Sequence, residues 1–188
     1  MTWEIDRSHS GVTFSAKHMV VTTVRGTMAI ADATVDLDEA DPTRSSVTAT
    51  IDAASIDTRS APRDAHLRSP DFLDVEQHPT IDFRSTSVVR DGDGWTIAGE
   101  LTIRDESRPV VLEAGYHGTG PNLQGGRRAA FSARTRLDRE AWGLTWNMAL
   151  EQGGWLVSRE ISIEIDLVVV APVAAEAPEG EREVAGVS

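Results

Sequence analysis

Apolar residues along this chain recur at every second position over short runs, with turn residues between the runs. Val12, Phe14 and Ala16 alternate with polar neighbours, as do Val47, Ala49 and Ile51, and later Ile97, Gly99, Leu101 and Ile103. The clearest run sets Ile161, Ile163, Ile165, Leu167 and Val169 against Glu160, Ser162, Glu164 and Asp166. A period of two puts one face of a strand on a core and the other in water. One run changes parity: Met28 and Ile30 are followed by Ala33, Val35 and Leu37, which predicts a β-bulge near Ala31 or Asp32. Asp91-Gly92-Asp93-Gly94 predicts a tight hairpin. About eight strands at close spacing, without long crossovers, predict an all-β protein, either a closed antiparallel barrel or a sandwich.

The longest interruption runs from Ser55 to Phe83. It predicts one short helix over about 61–69, with Ser60 as its cap, Pro62 in the first turn, Asp64 near the positive end and Pro70 as the stop. So short a helix has no independent stability, so Leu67 and Phe72 are expected to lie against the sheet. Asp138 to Arg159 holds three of the five tryptophans and predicts a strand or extended loop closing one end. From Ala171 onward alternation is lost in a stretch rich in Ala, Glu, Pro and Gly. One domain over 1–170 and a disordered acidic tail over 171–188 are therefore expected.

Charge narrows the partners. The net charge is −12 and Lys17 is the only lysine, so neither nucleic acid nor stable membrane insertion is expected. The N-terminal M-T-W-E-I-D-R has no apolar run, which predicts no secretory signal and a cytoplasmic location. With no cysteine, and with His9, His18, His66, His78 and His117 at none of the usual ligand spacings, no metal or cofactor site is expected. Ser8-His9-Ser10 reads as turn capping rather than as a nucleophile beside its base, since no G-x-S-x-G elbow accompanies it. Small residues at inward positions (Ala16, Ala49, Gly99, Ala114, Ala129 and Ala133) either leave room along a barrel axis or merely fit crowded places.

Several stretches, in order and at their spacing, carry a resemblance to a known family. They are W-E-I-D-R-S-H-S-G-V-T-F from Trp3, K-H-M from Lys17, V-R-G-T-M from Val24 and S-I-D-T from Ser55. They continue with R-D-A-H-L-R-S-P-D-F-L-D from Arg63, H-P-T-I-D-F from His78, G-E-L-T-I from Gly99 and L-D-R-E-A-W-G-L-T-W-N from Leu137. Over about residues 3–170 the chain resembles the YceI-like, polyisoprenoid-binding proteins; Arg104 to Ser107 departs from a turn that commonly contains glycine there. The resemblance implies an extended, eight-stranded, lipocalin-like antiparallel barrel whose interior binds a long isoprenoid, an isoprenoid quinone or a related lipid, often in a homodimer. The helical insert would then cover the mouth. With alternation, this makes Phe14, His18, Ala49, Ile51, Leu67, Phe72, Phe83, Leu101, Ile103, Leu112, Phe131, Ala133, Trp142 and Trp146 the candidate ligand contacts. Arg25, Arg63 and Arg68 are candidates to meet a polar head. A non-enzymatic carrier is the leading expectation. The alternatives are an enzyme acting on such a lipid through His9, His18 or Asp138, and a filled barrel serving as an interaction module.

Overall fold

The computed structural model describes residues 2–19, 21–123, 125–151 and 153–171. The expected tail therefore lies, from residue 172, outside the described residues. Ten strands form one antiparallel sheet: β1 (Thr2–Ile5), β2 (Gly11–His18), β3 (Thr22–Met28), β4 (Ile30–Asp36), β5 (Ser46–Asp52), β6 (Thr80–Asp91), β7 (Gly94–Ile103), β8 (Glu106–Pro121), β9 (Arg127–Asp138) and β10 (Val157–Val170). The order is β1-β4-β5-β6-β7-β8-β9-β10-β2-β3, and β1 also pairs with β10, so the sheet closes. Two pairs of strands act as one stave each: β1 and β2 both run along β10, while β4 and β3 run along β1 and β2. The result is an eight-stranded closed barrel.

Each broken stave is mended by a side chain. Asp6 caps a 3₁₀ turn over Arg7–His9 between β1 and β2. There the Ser10 hydroxyl donates to Val168 O (3.2 Å) and accepts Val168 N–H (2.9 Å), carrying the ladder across the gap. Between β3 and β4, the Ser55 hydroxyl accepts Ala29 N–H (2.8 Å). The bulge predicted near Ala31 is present, because the β4–β5 register slips between Ile30 and Asp32. It turns Ala33 and Val35 onto the same buried side as Ile30.

The insert folds on itself. Its helix α1 (Ala61–Arg68) starts without a side-chain bond from Ser60, contrary to expectation. Instead, Asp64 in the first turn reaches back to accept from Thr58 N–H (2.9 Å) and Thr58 O–H (2.5 Å). Arg63 donates to Thr58 Oγ1 and O, and Arg68 to Ala54 O (2.8 Å) and Ile56 O (2.6 Å). Asp57 pairs its backbone with Thr27 of β3, covering an edge that would otherwise face water. The β7–β8 turn grips the other side: Arg104 donates to Phe72 O (3.0 Å) and Asp105 meets His78 Nδ1 (3.1 Å). Arg104 and Asp105 hold φ of 51° and 64° without being glycine, the left-handed pair that a two-residue hairpin requires.

Two glycines are fixed by neighbouring rings. A Cβ on Gly26 would stand 2.4 Å from the Phe14 ring, and one on Gly99 would stand 2.5 Å from both the Phe83 ring and Arg84 O. Gly99→Ala is expected to destabilise by about 2 kcal/mol, because a backbone oxygen has nowhere to move. Thermal denaturation should show a fall of about 4–8 °C; an unchanged midpoint would contradict this packing.

Candidate functional site: an apolar bore with a polar rim

Alternation along eight staves aims one set of side chains inward, and they fail to fill the space. A cavity of ≈ 340 Å³ runs along the interior, within the range of about 300–1,000 Å³ usual for ligand pockets. Its middle is walled by Ile51, Phe83, Ile97, Leu101, Leu112, Phe131, Ala133, Ile163, Ile165 and Leu167, which supply no charge. Several of these, Leu101, Phe131, Ala133, Ile163 and Ile165 among them, are only half-buried, as side chains facing a void must be. Ala49, Ala114 and Ala133 supply width. Gly99 and Ala129 do not: the first lies under Phe83, and the second packs fully buried in the cluster with Trp3 and Val169. Ala16 also lies outside the lining.

The floor is solid. Ala53, just before the insert, and Ile56 and Leu73 within it join Trp142 and Leu144 in one buried cluster with Val12, Ile81, Ile103 and Leu137. Trp142 donates its indole N–H to Leu101 O (3.0 Å). Phe72, His66 and Trp146 pack ring against ring, with centroids 4.4–5.4 Å apart. Arg139, 5% exposed, donates to Ser158 O (2.9 Å) and to Leu144 O, and burial pulls its guanidinium below the ordinary arginine range despite nearby Glu140 and Asp138.

The insert therefore does cover an end of the barrel, but not the open one. The lining at the far end comes from Glu39, Pro42 and Ser45 in the β4–β5 connection and Ser46 at the start of β5, with Val88, Trp95 and Tyr116. Eight of the fourteen candidate contacts line the cavity: Ala49, Ile51, Phe83, Leu101, Ile103, Leu112, Phe131 and Ala133. Six stand elsewhere. Phe14 folds over Gly26, and His18 sits at the end of β2 opposite Thr22 and Val157. Leu67, Phe72, Trp142 and Trp146 belong to the floor and its underside. Periodicity names an inward face but not which layer along the axis is filled. Ile163, Ile165 and Leu167 could have been named from the same alternation. Glu39 could not, since it lies in a loop.

Arg63 and Arg68 spend their donors on the insert's own carbonyls at the closed end, and Arg25 is an exposed residue of β3. None of the three is at the mouth. The acid–base candidates also stay outside the bore. His9 Nδ1 meets Asp6 (2.7 Å), while Ser8 O–H donates to the same carboxylate (2.6 Å). Asp6 is held below its usual range by the bonds from Ser8 and His9; this is a turn cap, not a hydroxyl activated by a base. Asp138 is bound by Arg159 (2.6 Å), which holds it below the usual carboxylate range. Among the described residues no three potential metal-ligating side chains converge, and no helix is long and apolar enough to cross a membrane.

Known proteins share both sequence and architecture with this chain. It is 35% identical over 169 residues to Protein YceI of Escherichia coli O17:K52:H18, covering 89% of this chain and 83% of that one. It is 36% identical over 148 residues to a UPF0312 protein of Serratia proteamaculans, covering 78% and 77%. The structure of BcnA from Burkholderia cenocepacia superimposes with a TM-score of 0.74 at 22% identity, over 87% of this chain and 98% of that one. A polyisoprenoid binding domain from Saccharophagus degradans, implicated in plant cell wall breakdown, has the same fold with a TM-score of 0.63 at 11% identity, over 90% and 98%. The profile of the YceI-like domain matches residues 3–169, so the chain belongs to the YceI-like family.

Proposed function

We propose that this protein binds a long apolar chain, of the polyisoprenoid or isoprenoid-quinone kind, lengthwise in its barrel and serves as a carrier or store rather than a catalyst. The observation that carries this reading is the charge-free middle of a cavity open at one end, walled by half-buried aliphatic and aromatic side chains. Each methylene buried there contributes about 0.8 kcal/mol, so a few isoprene units offset the cost of ordering the chain. The likeness to a polyisoprenoid binding domain supports the ligand class. The positions of His9, His18 and Asp138, away from the bore, support a role without chemistry.

Organic extraction of the purified protein followed by mass spectrometry tests the proposal. One lipid per barrel is the expected result. A barrel that yields none and takes up no added polyprenol would be a plug.

A further inference from the structure

The polar end of the cavity has a composition of its own. Among the described residues, Glu39 is the only charged side chain in the lining, and its carboxylate is engaged. Arg127, from the start of β9, donates to it twice, at 2.8 and 3.0 Å. The hydrogen bond to Glu39 and its negative charge hold the guanidinium above its ordinary range. An arginine fork at the mouth of a lipid cavity would otherwise suit a phosphate. Here that fork is already filled.

The surroundings are acidic. The β4–β5 connection and the neighbouring strand end carry Asp36, Asp38, Glu39 and Asp41 against Arg44, which pairs with Asp38 (3.6 Å), and the β6–β7 hairpin carries Asp91 and Asp93 against Arg90, which stacks on Trp95. Backbone N–H groups of Asp41 and Ala40 hold Asp38 below the usual carboxylate range, so it is charged at neutral pH. An uncharged donor is present in the lining. The Ser45 hydroxyl accepts Asp38 N–H (3.0 Å), leaving its own proton to donate. Trp3, paired with the lining residue Val35, is fully buried behind the lining; its indole N–H has no partner among the described residues and is not part of the cavity wall. Arg127 lies over that same indole ring, 5.7 Å from its centroid.

We propose that this rim selects an apolar chain ending in an uncharged oxygen acceptor, a hydroxyl or a carbonyl, over the same chain ending in phosphate. The proposal rests on the cavity being a lipid site. Glu39 acts as a built-in anion: it occupies Arg127, so that the pair adds no net positive charge and the neighbouring carboxylates set the field at the rim. Those carboxylates oppose entry of a second anion, whereas the Ser45 hydroxyl in the lining can meet a neutral oxygen.

The test titrates geranylgeraniol and geranylgeranyl diphosphate into the full chain after its lipid has been stripped. At low salt the alcohol is expected to bind at least tenfold more tightly. Screening at about 0.5 M salt should narrow that gap, because the discrimination is electrostatic. In Glu39→Gln, which frees Arg127, the alcohol-to-diphosphate affinity ratio should fall at least tenfold. Equal affinities in the unaltered protein, or a ratio that neither salt nor Glu39→Gln moves, would overturn the selectivity while leaving the lipid site standing. Failure of both compounds to bind would overturn the lipid site and the selectivity with it.

Discussion

Ala133→Trp is expected to lower occupancy of the barrel by its apolar guest about fifty-fold while the sheet stays intact. Ala133 lines the cavity, opposite Ala114 on β8 and Ile165 on β10, where the wall is thinnest in side-chain volume. An indole there takes the place of at least three chain carbons, about 2.4 kcal/mol of burial, which corresponds to that factor in affinity. Leu101→Trp, one strand beyond β8 on β7, should act the same way and guards against a fault peculiar to one site. The measurements are lipid extracted per mole of protein and uptake of added polyprenol, with far-ultraviolet circular dichroism to confirm the fold. Undiminished occupancy in both variants would mean the guest, if any, lies elsewhere.

Asp64→Ala should weaken the fold by about 3 kcal/mol, roughly 6–12 °C in thermal midpoint, through the insert rather than the barrel wall. Burial alone would raise this carboxyl. The Thr58 hydroxyl and N–H, with Arg68 and Arg63 nearby, outweigh burial and hold it below its ordinary value of 3.8. Thr58 is 4% exposed, so losing Asp64 strands the proton of a buried hydroxyl and a buried amide. The pH dependence follows from the direction of the shift. A carboxyl with a depressed folded pKa contributes its full stabilisation above about pH 5, and loses it as pH falls through 3.8 toward the folded value. The gap between parent and variant should therefore be constant from neutral pH to about 5 and shrink below 4. A gap that widened on acidification would refute this role.

The barrel was legible because period-two alternation survives wherever one face meets the bore and the other meets water, as in Ile161 to Val169. The parity change after Ile30 even marked the extra residue of a bulge. What escaped was long-range or local in ways that periodicity does not register. Glu39 and Arg127 are 88 positions apart, and nothing in the sequence around either one announces the partner. Phe14 has an inward-facing parity like that of Phe83, yet its ring is absorbed by a glycine on the next strand. Arg63 and Arg68 of the insert looked like candidates to meet a polar head. They instead bind Thr58, itself bonded to Asp64, and the local backbone, because a segment without a core of its own must satisfy its polar groups internally.

The dependence of closure on β10 bears on how the molecule comes to exist. β10 is the partner of β9 along one edge and of β2 and then β1 along the other, so it serves three strands, two of them from the opposite end of the chain. During synthesis the first two strands must wait, their outer edges bare, until residues 157–170 have left the ribosome. Contacts of such long sequence separation form slowly, and open edges invite pairing between nascent chains. Chaperone protection should matter most in that interval, after the wall has formed and before its last stave arrives.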